Sequence, residues 1–261
     1  MSVNKPYRRT HRPFIDGKFG NSYLMHRKYA KEPHHYLKAF LLLQNDLLDL
    51  FNYVEPADQN LKTYSHKIQQ LLMRTCVEIE ANFTAILIEN GYKGRKSKSR
   101  RPISWNIEDY RLVNHSHRLS SYEARIPGWN GIQGLCKPYE PWKNDEQLPW
   151  YKAYNESKHD RQNNFPQAKL KYLIDAMCGL VILITAQFSN ESYQPGPIGI
   201  AIEYEGYDSD DGMISAIGGV FRVKKPADWP VEERYDFKWR DLREMEDPFD
   251  EFNHAQYYNK G

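Results

Sequence analysis

The densest run of chemically able side chains in this 261-residue sequence is WYKAYNESKHDR, residues 150–161. On a helix, Asn155, Lys158 and His159 stand at i, i+3 and i+4, while Tyr154, Lys158 and Arg161 stand at i, i+4 and i+7. One face then offers an imidazole, an amide and two cations. An imidazole moves protons near neutral pH, and cations stabilise charge that develops on phosphorus. Such a set can break a phosphodiester through its own 2′-hydroxyl, with no metal and no other cofactor. The same residues can equally form a buried polar knot that ties a tryptophan-rich connection to the helices.

Other patterns carry less. Glu156-Ser157-Lys158 has the E-x-K form of metal nucleases, but that chemistry needs both side chains on one face of a strand, and residues two apart on a helix diverge. Asp208-Ser-Asp210-Asp211-Gly212 fails the calcium-loop pattern because its glycine falls at the fifth position instead of the sixth. It reads as a hairpin turn. No P-loop, dinucleotide fingerprint, nucleophile elbow of the G-x-S-x-G type or H-E-x-x-H occurs.

The elements that must position residues 150–161 follow from periodicity. Residues 35–54 repeat apolar side chains at three and four and end at Pro56. Residues 61–90 form a longer amphipathic helix, with Arg74, Glu78 and Asn82 as a polar row and Gly91 as its C-terminal cap. Residues 167–188 make the most apolar helix, too short in its uninterrupted apolar run for a membrane span. Pro149 suits the first turn of the helix 150–161. Residues 102–149 hold so many Pro, Gly and Trp that a long meandering connection is expected, with a helical stretch over 106–122. Residues 198–207 and 213–223, on either side of the Asp-rich turn, read as a β-hairpin. Residues 1–34 read as an irregular basic arm with a short hairpin near 14–23. Residues 191–261, the hairpin and an acidic aromatic tail, are expected to lie on the 35–190 bundle.

Composition narrows the class. With 40% hydrophobic, 27% charged and 14% aromatic residues the chain is a folded domain, not a disordered one. Cys76, Cys136 and Cys178 are widely spaced and form no C-x-x-C, which favours a reducing compartment. With no apolar leader at the N-terminus, a cytoplasmic protein is expected. The net charge of +2 conceals +7 over residues 1–38 and −7 over residues 203–261. Lys93, Arg95, Lys96, Lys98, Arg100 and Arg101 add a further basic cluster, suited to phosphate contacts or simply to a solvated loop. The acidic end can neutralise basic segments in cis.

Two long helices, Arg74-x3-Glu78 on the second, and Asn155-x2-Lys158-His159 on a later helix together resemble the HEPN superfamily. That resemblance implies a small α-helical bundle, often a homodimeric ribonuclease of prokaryotic defence or toxin systems. The family motif is Arg-x(4–6)-His, frequently with Asn after the Arg. Here His159 and Asn155 match, and Tyr154 stands at the arginine position. The expectation is a mainly α, HEPN-like bundle with an aromatic insert at 93–149 and a small C-terminal β-hairpin. Its expected activity is RNA-directed, as a metal-independent endoribonuclease. His159 is then the acid/base, Lys158, Arg161 and Arg74 clamp phosphate, Asn155 orients, and Glu78 faces the motif. The alternatives are a non-catalytic bundle that binds nucleic acid or a cognate partner protein through a degenerate site, or a structural assembly subunit.

Overall fold

The computed structural model describes residues 2–17, 20–95, 105–191, 193 and 211–258. It is mainly α. Helix α1 spans Pro33–Phe51, α2 His66–Glu89, α5 Pro149–His159 and α7 Leu170–Phe188; the short α3 (Ile107–Arg111), α4 (Val113–His117), α6 (Arg161–Asn164) and α8 (Trp239–Leu242) lie in the connections and tail. The spacing over 61–90 and 167–188 anticipated α2 and α7, and these two form the largest helix–helix contact of the fold. α2 begins later than its apolar pattern because Ser65 caps it, its hydroxyl accepting from the Ile68 N–H at 3.2 Å. α7 has the length and composition of a membrane span, yet 83% of its most apolar window is buried inside the protein, as befits a core helix.

α5 packs into the angle between α2 and α7. Its inward residues Trp150, Tyr151, Ala153, Tyr154 and Ser157 are buried. The long connection before it is closed by its own aromatics. Tyr139 sits 4.9 Å from Trp142 and 6.0 Å from Trp150, and its hydroxyl donates to the Gly179 carbonyl at 3.1 Å. A Cβ at Gly179 would lie 3.2 Å from that hydroxyl, so glycine is what lets the ring lie against α7.

The strands differ from the expected hairpin. β1 (Glu123–Arg125) and β2 (Leu135–Cys136) come from the connection itself, and with β3 (Ile214–Ser215) and β4 (Arg222–Lys224) make an antiparallel sheet of order β2-β1-β4-β3. Residues 198–207, the first arm of the expected hairpin, lie outside the described residues. Its second arm bends back on itself at Gly218 and Gly219, which take φ of 85° and 72°. The helical stretch expected over 106–122 is broken into α3, α4 and a 3-10 turn, with Arg118 left-handed at φ 52°.

The N-terminal segment is not a loose arm. Among the described residues of 14–23 no strands pair; instead Phe14 bridges to Tyr235, Val3 to Tyr235 and Tyr7 to Asp250. Arg9, Thr10, His11 and Arg12 are buried. The segment runs between the C-terminal end of α7 and the tail, where Arg8 pairs with Asp247 and Lys5 with Asp250. The opposed charges of the two ends are thus matched within the chain.

Candidate nucleic-acid interface at one end of the bundle

Two connections zip together where α5 ends and α2 begins. The Leu170 N–H donates to Thr63 O at 2.7 Å, the Lys171 N–H to Leu61 O at 3.0 Å, and Tyr64 bridges to Lys169. Asp160 then caps α6 by accepting from the Asn163 N–H at 3.3 Å, which turns the chain so that Arg161 leaves the helix end. Arg161 Nη2 donates to His66 Nδ1 at 3.1 Å. That leaves the neutral His66 ring with its proton on Nε2. The His66 ring lies over Phe165, centroids 4.5 Å apart at 32°, and Tyr64 meets Phe165 edge-on at 5.6 Å.

This end is open to solvent. Tyr64 is 48% exposed, His66 and Arg161 are exposed with it, and Lys158 and His159 are exposed at the end of α5. Lys62 and Lys171 are exposed on the zipped connections. The result is a guanidinium and an imidazole laid around an aromatic plate with lysines at its margin. Aromatic faces stack bases, and cations track a backbone.

The motif residues divide. His159 is the last residue of α5 and is exposed, and Arg161 joins the patch. The Lys158 Nζ lies 4.9 Å from the centre of the Tyr154 ring and donates to the Tyr154 hydroxyl at 3.0 Å. Burial raises the Tyr154 hydroxyl pKa, while that bond to Tyr154 raises the Lys158 pKa. Asn155 is half-buried and lines a separate cleft of about 210 Å³ with Arg111, Trp142 and Tyr151. Glu156 reaches Lys152, not Lys158, and Ser157 turns inward to donate to Ala153 O, so the E-x-K is split across the helix.

Arg74 and Glu78 do not join His159. The side of α2 against α5 is marked by Glu80, which accepts from the Tyr151 hydroxyl at 2.8 Å. At about 100° per residue, Arg74 and Glu78 lie about 120–160° around the helix from Glu80. They face α1, where Arg74 pairs with Asp46. Glu78 is half-buried there, and burial raises its pKa. Asn82, the third member of that row, is fully buried and works elsewhere. It accepts from Gln187 Nε2 at 2.9 Å, and Gln187 Oε1 accepts from Arg9 at 3.1 Å.

The basic loop is also corrected where it is described. Lys93 is exposed. Arg95 is held internally, its Nη2 donating to Asp109 at 2.9 Å and Asn106 at 2.8 Å. Lys96, Lys98, Arg100 and Arg101 lie outside the described residues.

His66, Tyr64 and Phe165 escaped the sequence reading because Tyr64 and Phe165 sit in connections and His66 opens α2, outside its apolar stripe, where no periodicity marks them. The available signal was Ser65 as a cap, which would have ended the loop just before His66. Among the described residues, no group of three or more His, Cys, Asp or Glu is placed to hold a metal ion. The chain matches no family model, no curated protein and no solved structure.

Proposed function

We propose that this protein acts on single-stranded RNA at the α5–α6 end, as a HEPN-like metal-independent endoribonuclease. The observation that carries the reading is the Arg161–His66–Phe165 assembly, with Phe165 half-buried, His66 exposed, and Arg161 exposed two residues on from the exposed His159. A base stacks on Phe165 and Tyr64, and the adjoining phosphate meets Arg161 and Lys158. His159 takes the 2′-hydroxyl proton, the 2′-oxygen bonds to phosphorus as the bond from phosphorus to the 5′-oxygen breaks, and water protonates the leaving 5′-oxygen, giving a 2′,3′-cyclic phosphate. Asn155 does not serve as orienter in this arrangement, since it lines another cleft.

One observation favours a second reading, RNA binding without cleavage. Tyr154 occupies the family's arginine position as a ring turned into the core, 1% exposed, and it engages Lys158. The test uses a labelled single-stranded RNA in chelator. Phe165→Ala and Arg161→Ala are expected to weaken binding, since a stacked base is worth about 1–3 kcal/mol, or roughly 5–150-fold. His159→Ala is expected to abolish cleavage with binding retained. Binding without cleavage by wild type selects the second reading, and no binding defeats both.

A further inference from the structure

We propose that Ser189 and Lys225 form a nucleophile–base pair that accepts an acyl group from a carboxylic ester or amide. This site is independent of the RNA-directed reading. It lies at the far end of α7, where the helix stops at Phe188 and the chain turns.

The turn is the first observation. The Glu191 N–H donates to Phe188 O at 3.0 Å, closing a four-residue turn, and Ser189 holds φ 53° and ψ −122° at its first central position. Those angles define a type II′ turn, whose first central residue is ordinarily glycine because a Cβ there is strained. Glu32, Arg118 and Asp145 also have positive φ, but their ψ of 50°, 41° and 21° is ordinary left-handed backbone. Ser189 therefore keeps a side chain where the backbone asks for none. Strain of this kind gathers at reacting groups, and here it falls on a serine that is only 3% exposed.

The second observation is the partner. Lys225 Nζ lies 2.7 Å from Ser189 Oγ. Lys225 follows directly on β4, where Val223 points inward and Lys224 outward, so the alternation turns Lys225 back toward the body. No carboxylate is paired with it among the described residues. The ionisable neighbour facing it is His11, from the N-terminal segment, which burial keeps neutral. A lysine in this setting, desolvated and without a counter-ion, loses its proton near pH 8 instead of 10.5. Its free amine is then the base that a serine hydroxyl needs.

A third feature completes the geometry. The Asn190 N–H, next after the serine, makes no hydrogen bond among the described residues. It is the donor that an oxyanion on a serine-bound carbon would meet first. In the reaction, the Lys225 amine takes the Oγ proton as Oγ bonds to the carbonyl carbon and the carbonyl electron pair moves to oxygen. Collapse expels the alcohol or amine, which receives the proton from the Lys225 ammonium. Water, deprotonated by the same amine, then releases the carboxylic acid and restores the hydroxyl.

The experiment treats the full chain with an alkyl fluorophosphonate, in which Oγ displaces fluoride, across pH 7 to 9.5. One phosphonyl group should appear on Ser189 by peptide mapping, with a rate that rises about tenfold between pH 7 and pH 9. p-Nitrophenyl acetate should acylate the same residue. Lys225→Met should slow labelling at least 100-fold. Ser189→Gly relieves the turn, so it should melt at or above the wild-type temperature and take no label. Wild type that takes no adduct on Ser189, or labels there at a rate indifferent to pH, overturns the proposal. Label confined to other residues overturns it as well.

Discussion

Acid should unfold this protein well before its carboxylates titrate, because three histidines are buried as neutral rings. His11, His117 and His254 are 5%, 0% and 2% exposed. Burial is the largest cause holding each pKa down, from 6.5 to about 3. Their bonds fix the protons. The His117 Nε2–H donates to Arg9 O at 2.8 Å, so its Nδ1 must accept from the Ser116 hydroxyl at 2.7 Å. Ser116 has then used its proton, and the His254 Nε2–H donates to Ser116 Oγ at 3.0 Å. A second proton on either ring would add a charge that burial keeps away from solvent. The unfolded chain takes up protons below pH 6.5 while the folded one does not. The stability these rings contribute is therefore complete above pH 6.5 and is lost progressively toward pH 3. At pH 5 each histidine costs about 2 kcal/mol, or about 6 kcal/mol together. Asp175 opposes this. Burial raises its pKa from 3.8 to about 6, so its protonation favours the folded form as pH falls through that value. Because it is partly exposed, its offset at pH 5 is at most about 1.4 kcal/mol. The balance is a loss of roughly 4–5 kcal/mol between pH 7.5 and 5.0, a large part of a domain's stability. For a chain of this size that lowers the thermal midpoint by roughly 10–15 °C. Circular dichroism melts at constant ionic strength measure it. His254→Gln should be less stable at pH 7.5 but should lose about 2 kcal/mol less on acidification. A wild-type midpoint that moves by less than about 3 °C would refute the reasoning.

Other outcomes follow from the packing. Arg9 is fully buried, held by Glu89 at 2.7 Å and Lys31 O at 2.7 Å, with the Tyr36 ring 4.4 Å below it. Glu89→Gln removes half of that pair and should destabilise by about 3–5 kcal/mol in urea titrations, whereas Arg74→Gln, exposed with Asp46, should change stability by less than about 1 kcal/mol. Gly218→Ala should destabilise by about 1–3 kcal/mol, since φ is 85° and its Cβ would meet Leu41 and Gln44 at 2.7 and 2.5 Å. If Arg161 and Lys158 contact phosphates, replacing both by Gln should reduce the log–log salt slope of RNA binding by about 1.4 units; an unchanged slope removes them from the interface.

Periodicity carried α2 and α5 because each buries one continuous face, and that demand is written into spacing; α7, buried on every side from Ala176 to Phe188, is marked by its apolar run instead. It could not carry the site. Arg74 and Glu78 have the right residue types, but nothing local says which neighbour takes which side of α2. Tyr151 and Glu80 decide that, from elements 71 residues apart. The strands failed differently. β1 and β2 are three and two residues long, too short for alternation to register, and they exist because β4 pairs with β1 across a hundred residues.

The charge pattern was legible in size but not in meaning, and the N-terminal segment shows why. A surplus of seven positive charges suggests a surface for phosphate when each residue is taken as solvated. Arg9 and Arg12 instead lie among the most deeply buried side chains of the protein. Arg12 is stacked between the rings of Tyr7, Trp229 and Phe252, 4.8 to 5.4 Å away, and donates to Ser116 O at 2.8 Å and Glu233 O at 3.0 Å. A guanidinium can be buried this way because its planar faces stack on aromatics while its edge N–H groups satisfy carbonyls. The aromatic richness of the tail is therefore the counterpart of the arginines at the other end of the chain. Read together, the two compositions describe one internal seam.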